Sequence, residues 1–447
     1  MAEKKLIIPK QIVCVDNENT ILSNHALEIE ENKISSIISA EKINLNDYDS
    51  EVHNFPELTL IPGFVQTHIH LCQTLFRGLA DDLLLLDWLK KKIFPFENAH
   101  NENSLSASVK LGINELLLGG TTTILDMGTL RFQEVIFSEL INSGMRAFSG
   151  KCLIDENGLC PGFKGETKNE ISETYKLAEN FHRANDNKIF YGFAPRFVLS
   201  CSEKLLKETK EMMKDFPGSL YHTHASENKV EIEEVRKRFN KGNVEYFDSI
   251  GLLDDHTVLA HCVHLNDMEK TILKERQTRV AHCPSANLKL GSGIAPIPGY
   301  LENSIPVSLG ADGAPCNNNM SIFTEMRHAA LIQKPIYGPE VMDALSVFRL
   351  ATIEGAKALH LDDEIGSIEV GKKADLVLIN LNLYNNSVSE DEKSIYSDIV
   401  YSANPNIVEN VMVDGRWLVK ENESILYDQE EIIAEGKTEL KKLLSRV

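Results

Sequence analysis

Two histidines separated by a single residue are the most conspicuous reactive side chains in this sequence. His68 and His70 stand at the end of a run that is rich in apolar residues. In a β-strand, side chains two positions apart point to the same side, so both imidazoles can reach one cation. A structural pair of histidines has the same spacing, so this pair is informative only together with further ligands.

Three later segments supply such ligands. His224 is followed three residues later by the carboxylate of Glu227, and His261 and Asp312 each end a later strand-like run. Three neutral imidazoles and one carboxylate suit a borderline divalent ion such as Zn²⁺ or Fe²⁺, with one position left for water. The metal lowers the pKa of that water and makes hydroxide available near neutral pH.

The carboxylates and the remaining histidine indicate how protons could move in such a site. Asp312 can ligate the metal and accept the proton of the water, while Glu227 is placed to carry a proton to a ring nitrogen and then to a leaving amine. His261 can hydrogen-bond the nucleophile or a developing oxyanion. Some barrel hydrolases bridge two metals with a modified lysine that ends strand four. Here that position reads Pro195-Arg196, which favours one metal per subunit.

Eight short strand-like runs must position these side chains. They cover residues 60–68, 121–126, 145–151, 189–195, 220–224, 257–261, 278–282 and 306–312. Helical stretches separate most of them, and this alternation predicts a (β/α)₈ barrel of the TIM type. Barrel enzymes carry their active groups at the C-terminal ends of the strands, which is where the histidines and carboxylates lie here.

The two ends of the chain have a different pattern. Residues 1–59 and 365–447 contain short strand-like runs with polar turns, and neither end is long enough to fold alone. We therefore expect one small β-sandwich domain built from residues 1–59 plus 365–447, with the barrel at 60–364 inserted between them.

Composition restricts the partners. The net charge of −20 argues against a nucleic-acid binder, which needs a basic surface. No apolar run approaches the roughly 20 residues of a membrane helix, and no signal peptide is evident. We expect a cytoplasmic protein that takes a small molecule and contacts neither membrane nor nucleic acid. A homo-oligomer is compatible with the sequence, which does not reveal the oligomeric state.

These motifs together resemble the amidohydrolase superfamily. The supporting segments are PGFVQTHIH at 62–70, the His224 to Glu227 pair, His261, Asp312 and GSIEVGKKADL at 366–376. Within the superfamily the chain looks most like the 5-methylthioadenosine/S-adenosylhomocysteine deaminase and chlorohydrolase subgroup, through LFRGLADD at 75–82, DWL at 87–89, NLKLGSG at 287–293 and DGAPCNNN at 312–319. The resemblance covers nearly the whole chain and implies a metal-dependent deaminase of a purine-like ring.

The resemblance also implies roles for individual residues. His68, His70, His224 and Asp312 would be the metal ligands, with acid–base work by Glu227 and His261. Glu97 would contact the ribose hydroxyls of a nucleoside, since a carboxylate accepts two such hydrogen bonds. Trp88 is either a wall of the substrate pocket or an ordinary core residue.

Two departures leave the substrate open. Methylthioadenosine deaminases usually have Pro-His and an aromatic residue at the end of strand four, whereas this chain has Pro195-Arg196-Phe197, a turn familiar from guanine deaminases. Gln73 also matches a base-reading glutamine of guanine deaminases and a residue of triazine hydrolases. Arginine only donates hydrogen bonds, so Arg196 favours a base with a carbonyl or a negatively charged tail. The segment after Asp312, however, does not resemble guanine deaminase.

Three hypotheses follow. The first is a deaminase of an adenosine-type nucleoside, namely 5′-deoxyadenosine, methylthioadenosine or S-adenosylhomocysteine. The second keeps the mechanism but acts on guanine, another oxopurine or a triazine, as an amino- or chlorohydrolase. The third is an inactive barrel that serves as a scaffold, and the presence of every expected ligand argues against it. The sequence does not decide whether residues 155–168 form a lid.

Overall fold

Strands dominate both ends of the chain and alternate with helices in its middle, in a computed structural model that describes residues 4–44, 48, 51–388, 391 and 394–447. The N-terminal strands are β1 (Lys4–Val13), β2 (Ile21–Ser23), β3 (His25–Glu30), β4 (Lys33–Ser39) and β5 (Val52–Pro62). The next group is β6 (Phe64–Ile69), β7 (Thr121–Asp126), β8 (Arg146–Ser149), β9 (Cys152–Leu153), β10 (Ile189–Pro195), β11 (Leu220–Ala225), β12 (Thr257–His261), β13 (Arg279–His282) and β14 (Val307–Leu309). The C-terminal strands are β15 (Leu376–Asn380), β16 (Val408–Val413), β17 (Arg416–Lys420) and β18 (Glu423–Ser424).

The predicted barrel is confirmed. Strands β6, β7, β8, β10, β11, β12, β13 and β14 pair in this order in parallel, and β9 adds to β10. Their residues are almost all buried, as expected for parallel strands covered on both faces. Each of the eight strand-like runs of the sequence contains or overlaps one of these barrel strands.

The barrel closes at the edge where the reactive side chains lie. A parallel bridge joins Ile69 to Asp312, and the backbone N–H of Asp312 donates to the carbonyl of His68 at 3.0 Å. Gly310 permits this approach, because a Cβ there would lie 2.8 Å from the backbone N and O of His68. Closing the barrel therefore also brings the first and last candidate ligands together.

The first strand-like run, 60–68, is not one strand. Residues 60–62 belong to β5 in the other sheet, and β6 starts at Phe64. Gly63 makes the step between the sheets, where a Cβ would lie 2.1 Å from Thr122 Oγ1. Its N–H donates to the carbonyl of Asp375 at 2.9 Å. The missing side chain, which the apolar pattern does not reveal, is what lets the chain change sheets.

The second sheet combines strands from both chain ends, as predicted. Its order is β18-β17-β16-β15-β5-β1-β3-β4, with β2 paired to β1. Alternate residues of these strands form a core of their own, which includes Ile12, Leu27, Leu60, Leu378 and Met412. The N-terminal strand β5 pairs antiparallel with the C-terminal strand β15, so neither end could complete this sheet alone.

Helices occupy the connections between the barrel strands, and further helices follow the last barrel strand, β14. They are α1 (Leu85–Trp88), α2 (Phe94–Asn98), α3 (Glu102–Leu118), α4 (Gln133–Ser143), α5 (Thr167–Phe181), α6 (Ala184–Asn187), α7 (Glu203–Met212), α8 (Lys229–Phe239), α9 (Asn243–Ser249), α10 (Asp267–Arg276), α11 (Pro284–Lys289), α12 (Ile297–Glu302), α13 (Ala314–Asn317), α14 (Ile322–Leu331), α15 (Lys334–Tyr337), α16 (Ala344–Leu350), α17 (Ile353–Ala358), α18 (Ser394–Ser397) and α19 (Gln429–Leu444).

The sequence explains where these helices begin and end. Helix α3 begins at Asn101, whose side chain accepts from the N–H of Ser104 at 3.0 Å, and it ends at Gly119. A π-helical turn, Leu89–Ile93, joins α1 to α2 above the barrel mouth. Among the described residues, no helix is both long and apolar enough to span a membrane.

Candidate active site

Four side chains from three separate barrel segments converge on one point. One ligand atom from each of His68, His70, His224 and Asp312 lies within 4.8 Å of the others. His70 Nε2 is 3.2 Å from His224 Nε2, and Asp312 Oδ1 is 3.3 Å from Nε2 of both His68 and His70. Separations of about 3.3 Å are those of a tetrahedron with metal–ligand bonds of about 2.0 Å. The residues present therefore fit a divalent metal.

The hydrogen bonds of the ring nitrogens that point away from the shared point bear on metal binding. His224 Nδ1 is 2.7 Å from the carbonyl oxygen of Arg196. A carbonyl only accepts, so the proton sits on Nδ1 and a lone pair is left on Nε2. His68 Nε2 is buried, and it faces Asp312 Oδ1 at 3.3 Å. His224 Nε2 thus presents a lone pair to the shared point.

The electrostatics suit a cation. Burial lowers the pKa of His70 and His224 well below the usual value, so both imidazoles stay neutral. Burial acts in the opposite direction on Asp312, but hydrogen bonding and charge interactions with the neighbouring histidines hold its pKa well below the usual range. Neutral imidazoles with an ionised carboxylate are the protonation states that ligate metals.

Backbone strain accumulates at the same strand ends. Asp312, His261 and Ser226 have left-handed φ values of 62°, 73° and 51°. Non-glycine residues adopt this region at a cost of about 1–3 kcal/mol and persist there only where the surroundings enforce it. Residues of this kind follow or end three strands, β11, β12 and β14, at one edge of the barrel, which is where an active site stores strain.

Glu227 and His261 face the four ligands. His261 Nε2 lies 3.6 Å from Glu227 Oε2 and 3.8 Å from Asp312 Oδ2. Burial, with the negative charges of Asp312 and Glu231, raises the pKa of Glu227 to about 7 against the opposing effect of His261. Burial lowers the pKa of His261, but the charges of Glu227 and Asp312 outweigh it and raise the pKa overall. A carboxyl that titrates near neutral pH can both donate and accept a proton.

Three residues that the sequence did not single out hold this pair in place. Glu231 Oε2 accepts from the backbone N–H of Glu227 at 2.9 Å, and Ser292 Oγ donates to Glu227 Oε1 at 3.3 Å. Asn287 Oδ1 lies 2.9 Å from His261 Nδ1. Asn228 and Glu231 form a capping box at the start of α8, a spacing that could have drawn attention to Glu231. Asn287 and Ser292 lie in the segment at 287–293 but had no role assigned.

A pocket opens beside these groups. Four of the five residues predicted to contact substrate line it, namely Gln73, Trp88, Arg196 and Phe197. Three leucines that the sequence did not identify complete the apolar wall: Leu85, Leu89 and Leu290. Apolar walls with a few convergent polar groups are typical of a small-molecule site.

Glu97, the fifth, is not part of the lining. Its carboxylate is buried behind the wall, where Oε2 accepts from Arg196 Nη1 and Oε1 accepts from Gln73 Nε2, both at 2.7 Å. The Arg196 guanidinium also lies over the Phe94 ring at 5.0 Å. Glu97 thus fixes two lining residues, and its own lone pairs are partly occupied.

The glycine-containing segment at 155–168 contacts this wall from outside. Phe163 is buried, and its ring centroid lies 5.6 Å from that of Phe94. The side chain of Asn157 donates to the carbonyl of Phe163 at 2.9 Å. In this structure the segment is packed against the ring that supports Arg196.

Known proteins share this sequence and architecture. Residues 59–418 match the amidohydrolase family. The chain is 36% identical over 438 residues to a 5′-deoxyadenosine deaminase of Methanobrevibacter smithii, covering 95% of this chain and 98% of that protein. It is 32% identical to a 5-methylthioadenosine/S-adenosylhomocysteine deaminase of Syntrophomonas wolfei subsp. wolfei, covering 97% and 98%.

A solved structure extends the likeness to three dimensions. An adenosine deaminase from Xanthomonas campestris, solved with bound zinc, superposes with a TM-score of 0.90 at 27% identity and covers 98% of both chains. The fold and the sequence agree. The chain belongs to the amidohydrolase family.

Proposed function

We propose that this protein is a metal-dependent hydrolase that deaminates an adenosine-type nucleoside: 5′-deoxyadenosine, 5-methylthioadenosine or S-adenosylhomocysteine. The observation that carries the proposal is the cluster of His68, His70, His224 and Asp312 beside Glu227 at the base of one small pocket. The names of the relatives from Methanobrevibacter and Syntrophomonas support the same reaction and substrate class.

The cofactor in this proposal is one Zn²⁺ per subunit, with Fe²⁺ as the alternative. Three imidazole nitrogens and one carboxylate oxygen form the ligand set, and the bound zinc of the Xanthomonas structure supports this choice. Such an ion supplies a Lewis acid that lowers the pKa of water into the neutral range. No lysine stands at the end of the fourth barrel strand, β10, because Arg196 follows that strand and pairs with Glu97.

The side chains of this protein would handle the protons. Asp312 Oδ2 lies on the side of His261 and can accept the proton of the attacking water. Glu227 would hold a proton on a carboxyl oxygen and pass it to a ring nitrogen. It would then take up the proton of the hydroxyl added to the ring and supply it to the departing ammonia, and the proton held by Asp312 would restore Glu227. His261 would donate a hydrogen bond toward the reacting carbon's oxygen, with its ring oriented by Asn287.

The pocket would hold the rest of the nucleoside. Trp88 and Phe197 offer apolar faces for a purine ring. Gln73 Oε1 is buried without a hydrogen-bond partner among the described residues, so it can accept from a ribose hydroxyl. Glu97 would contribute directly only if a hydroxyl reaches a lone pair that Gln73 and Arg196 leave free; otherwise it acts by holding those two residues.

One observation favours a second candidate, a guanine or oxopurine deaminase. Arg196 lines the pocket, and a guanidinium has five N–H donors of which Glu97 uses one. The remaining donors suit a ring carbonyl. In this case we expect Arg196→His to reduce turnover of guanine far more than turnover of an adenine nucleoside, at unchanged metal content.

A substrate panel tests the proposal. The zinc-loaded protein is incubated with 5′-deoxyadenosine, methylthioadenosine, S-adenosylhomocysteine, guanine and an aminotriazine, and ammonia release is measured. We expect the highest kcat/KM for one of the three adenine nucleosides. Activity on guanine alone would support the second candidate, and no ammonia from any adenine nucleoside would refute the first. Metal analysis of the purified protein separates both deaminase candidates from an inactive scaffold, which would hold far less than one equivalent of metal per chain.

A further inference from the structure

Two further histidines lie in barrel strands that end at the candidate site. His222 precedes His224 by two residues in β11 and therefore points to the same side of the strand. His282 ends the strand β13. Both side chains are fully buried, and no motif discussed above accounts for either of them.

Only one of the two touches a candidate ligand. His222 Nε2 lies 2.7 Å from His68 Nδ1, with the two rings nearly perpendicular at 84°. Neither ring nitrogen of His282 has a hydrogen-bond partner among the described residues. The pair thus offers a direct comparison between a buried histidine that contacts the site and one that does not.

The contact determines where the proton of His68 sits. One of two hydrogen-bonded imidazole nitrogens must donate and the other must accept. If His222 donates, the neutral His68 ring carries its proton on Nε2, the atom that faces Asp312 and the other ligands. If His222 accepts, His68 carries the proton on Nδ1 and its Nε2 lone pair is free for a metal.

We propose that His222 is a positioning residue that accepts the Nδ1–H of His68 and so holds this ring in the tautomer and orientation that bind the metal. Histidine ligands of metals almost always donate their second N–H to a carboxylate, a carbonyl or water. His224 follows this rule through the Arg196 carbonyl. His68 has no such oxygen at its Nδ1 among the described residues, and another imidazole takes the place of that oxygen.

The proposal rests on the proposed metal site but not on the identity of the substrate. Its test uses metal affinity, measured as zinc transfer from a chromophoric chelator to the full-length apoprotein, and needs no turnover. The variants are His222→Leu, which removes the acceptor, and His222→Gln, whose amide oxygen can reach the position of Nε2. His282→Leu is the matched control, because it removes an equally buried histidine from another strand of the same barrel.

We expect His222→Leu to weaken zinc binding by about 10- to 100-fold, the usual cost of losing a hydrogen-bond partner of a metal ligand. His222→Gln should stay within about threefold of the wild type, and His282→Leu should bind zinc as the wild type does. Should His222→Leu fail to fold, His222→Asn replaces it, because its shorter amide cannot reach His68.

The outcomes separate the possible errors. If the wild type takes up no zinc, the proposed metal site is wrong. If the wild type binds zinc and His222→Leu binds it equally well, the positioning role is refuted while the metal site stands. Equal losses in the Leu and Gln variants of His222, or an equal loss in His282→Leu, would show that core packing and not the hydrogen bond is responsible, which also overturns the proposal.

Discussion

Glu227 shows how burial moves the pKa of a carboxyl group into the range that proton transfer near neutral pH requires. It lies between His261 and Ser292 in the lining of the pocket, and burial raises its pKa to about 7. At neutral pH the group therefore exists in both protonation states, which is what transfer to a ring nitrogen and onward to a leaving amine requires. The same side chain on the surface would remain ionised.

Glu227→Gln should keep the metal and lose most of the turnover. The amide matches the carboxyl in size and can still accept from Ser292, but it cannot accept and release a proton. We expect kcat to fall by about 10²- to 10⁴-fold, the range for loss of a general acid–base group. Zinc content by elemental analysis serves as the control and should equal that of the wild type; unchanged turnover would exclude Glu227 as the proton carrier.

Arg196 illustrates how a neighbour changes the chemistry that a residue type suggests. From the sequence, this arginine favours a carbonyl or a negatively charged tail. In the structure it is buried against Glu97; burial disfavours its charge, but Glu97 outweighs burial and raises the pKa of the guanidinium. No other lysine or arginine is among the residues lining the pocket. A tail carboxylate would therefore meet no unpaired cation.

This pairing predicts a preference for uncharged 5′ groups within the proposed substrate class. We expect kcat/KM for methylthioadenosine to exceed that for S-adenosylhomocysteine by at least about tenfold, since a buried carboxylate without a partner costs several kcal/mol. 5′-Butylthioadenosine, which has a tail of similar length without charges, separates charge from size and should behave like methylthioadenosine. In Glu97→Gln, Arg196 loses its ionic partner. The kcat/KM for S-adenosylhomocysteine should therefore rise relative to that for methylthioadenosine. Equal kcat/KM for all three nucleosides in the wild type would contradict the argument.

At the scale of elements, the sequence predicted the strands better than the contacts between them. Alternation of apolar runs and helices is a local signal, and it located all eight barrel strands together with the ligands at their ends. The break at Gly63 was missed because its cause is Thr122, a residue that is distant in sequence. For the same reason, the hydrogen bonds of His261 to Asn287 and of His68 to His222 are visible only in three dimensions.

The surroundings of His100, just before helix α3, lead to a prediction about the pH dependence of stability rather than about the site. Its Nε2 lies 2.8 Å from the carbonyl of Cys72 and its Nδ1 lies 3.0 Å from Ser104 Oγ. Burial, aided by the charge of Arg446, lowers its pKa to about 4. The folded value is below the unfolded value of about 6.5, so the neutral ring contributes stability above pH 6.5 that is lost as the pH falls toward 4.

His100→Gln isolates this contribution. The glutamine amide can donate to the Cys72 carbonyl and accept from Ser104, but it does not titrate. Between roughly pH 6 and pH 4.5 we expect the free energy of unfolding of the wild type to fall more steeply than that of the variant, by about 1.4 kcal/mol per pH unit. Urea denaturation across this interval provides the measurement, and parallel pH profiles would show that His100 is not held neutral.

At the scale of the whole molecule, the barrel and the terminal sheet share one continuous core. The largest hydrophobic cluster includes Phe64 and Leu309 of the barrel together with Val13, Val377 and Val411 of the terminal strands. Strand β5 also continues into β6 through the single residue Gly63. We therefore treat the two sheets as one cooperative unit, in which a defect at their junction is felt by the barrel that carries the site.

The junction contains a buried ion pair that makes this cooperativity testable. Arg146 of β8 is 1% exposed, and its Nε and Nη2 donate to the two carboxylate oxygens of Asp375 at 2.9 and 3.0 Å. Asp375 also accepts from the backbone N–H of Asp414 in the terminal sheet at 2.8 Å. Replacing Arg146 leaves a buried carboxylate without its partner, which typically costs about 3–5 kcal/mol.

Arg146→Met should lower the free energy of unfolding by about 3–5 kcal/mol. Unfolding should remain a single transition, with the same midpoint by tryptophan fluorescence and by circular dichroism. Trp417 reports on the terminal sheet and Trp88 on the barrel mouth, so one coincident transition means that both regions unfold together. Lys91→Met removes an exposed ion pair with Asp87 and, as the control, should cost less than about 1 kcal/mol. The double variant Arg146→Met/Asp375→Leu removes both buried charges and should recover much of the loss. Two separate transitions, with the terminal sheet unfolding first, would instead show that the barrel and its site are stable without the sheet.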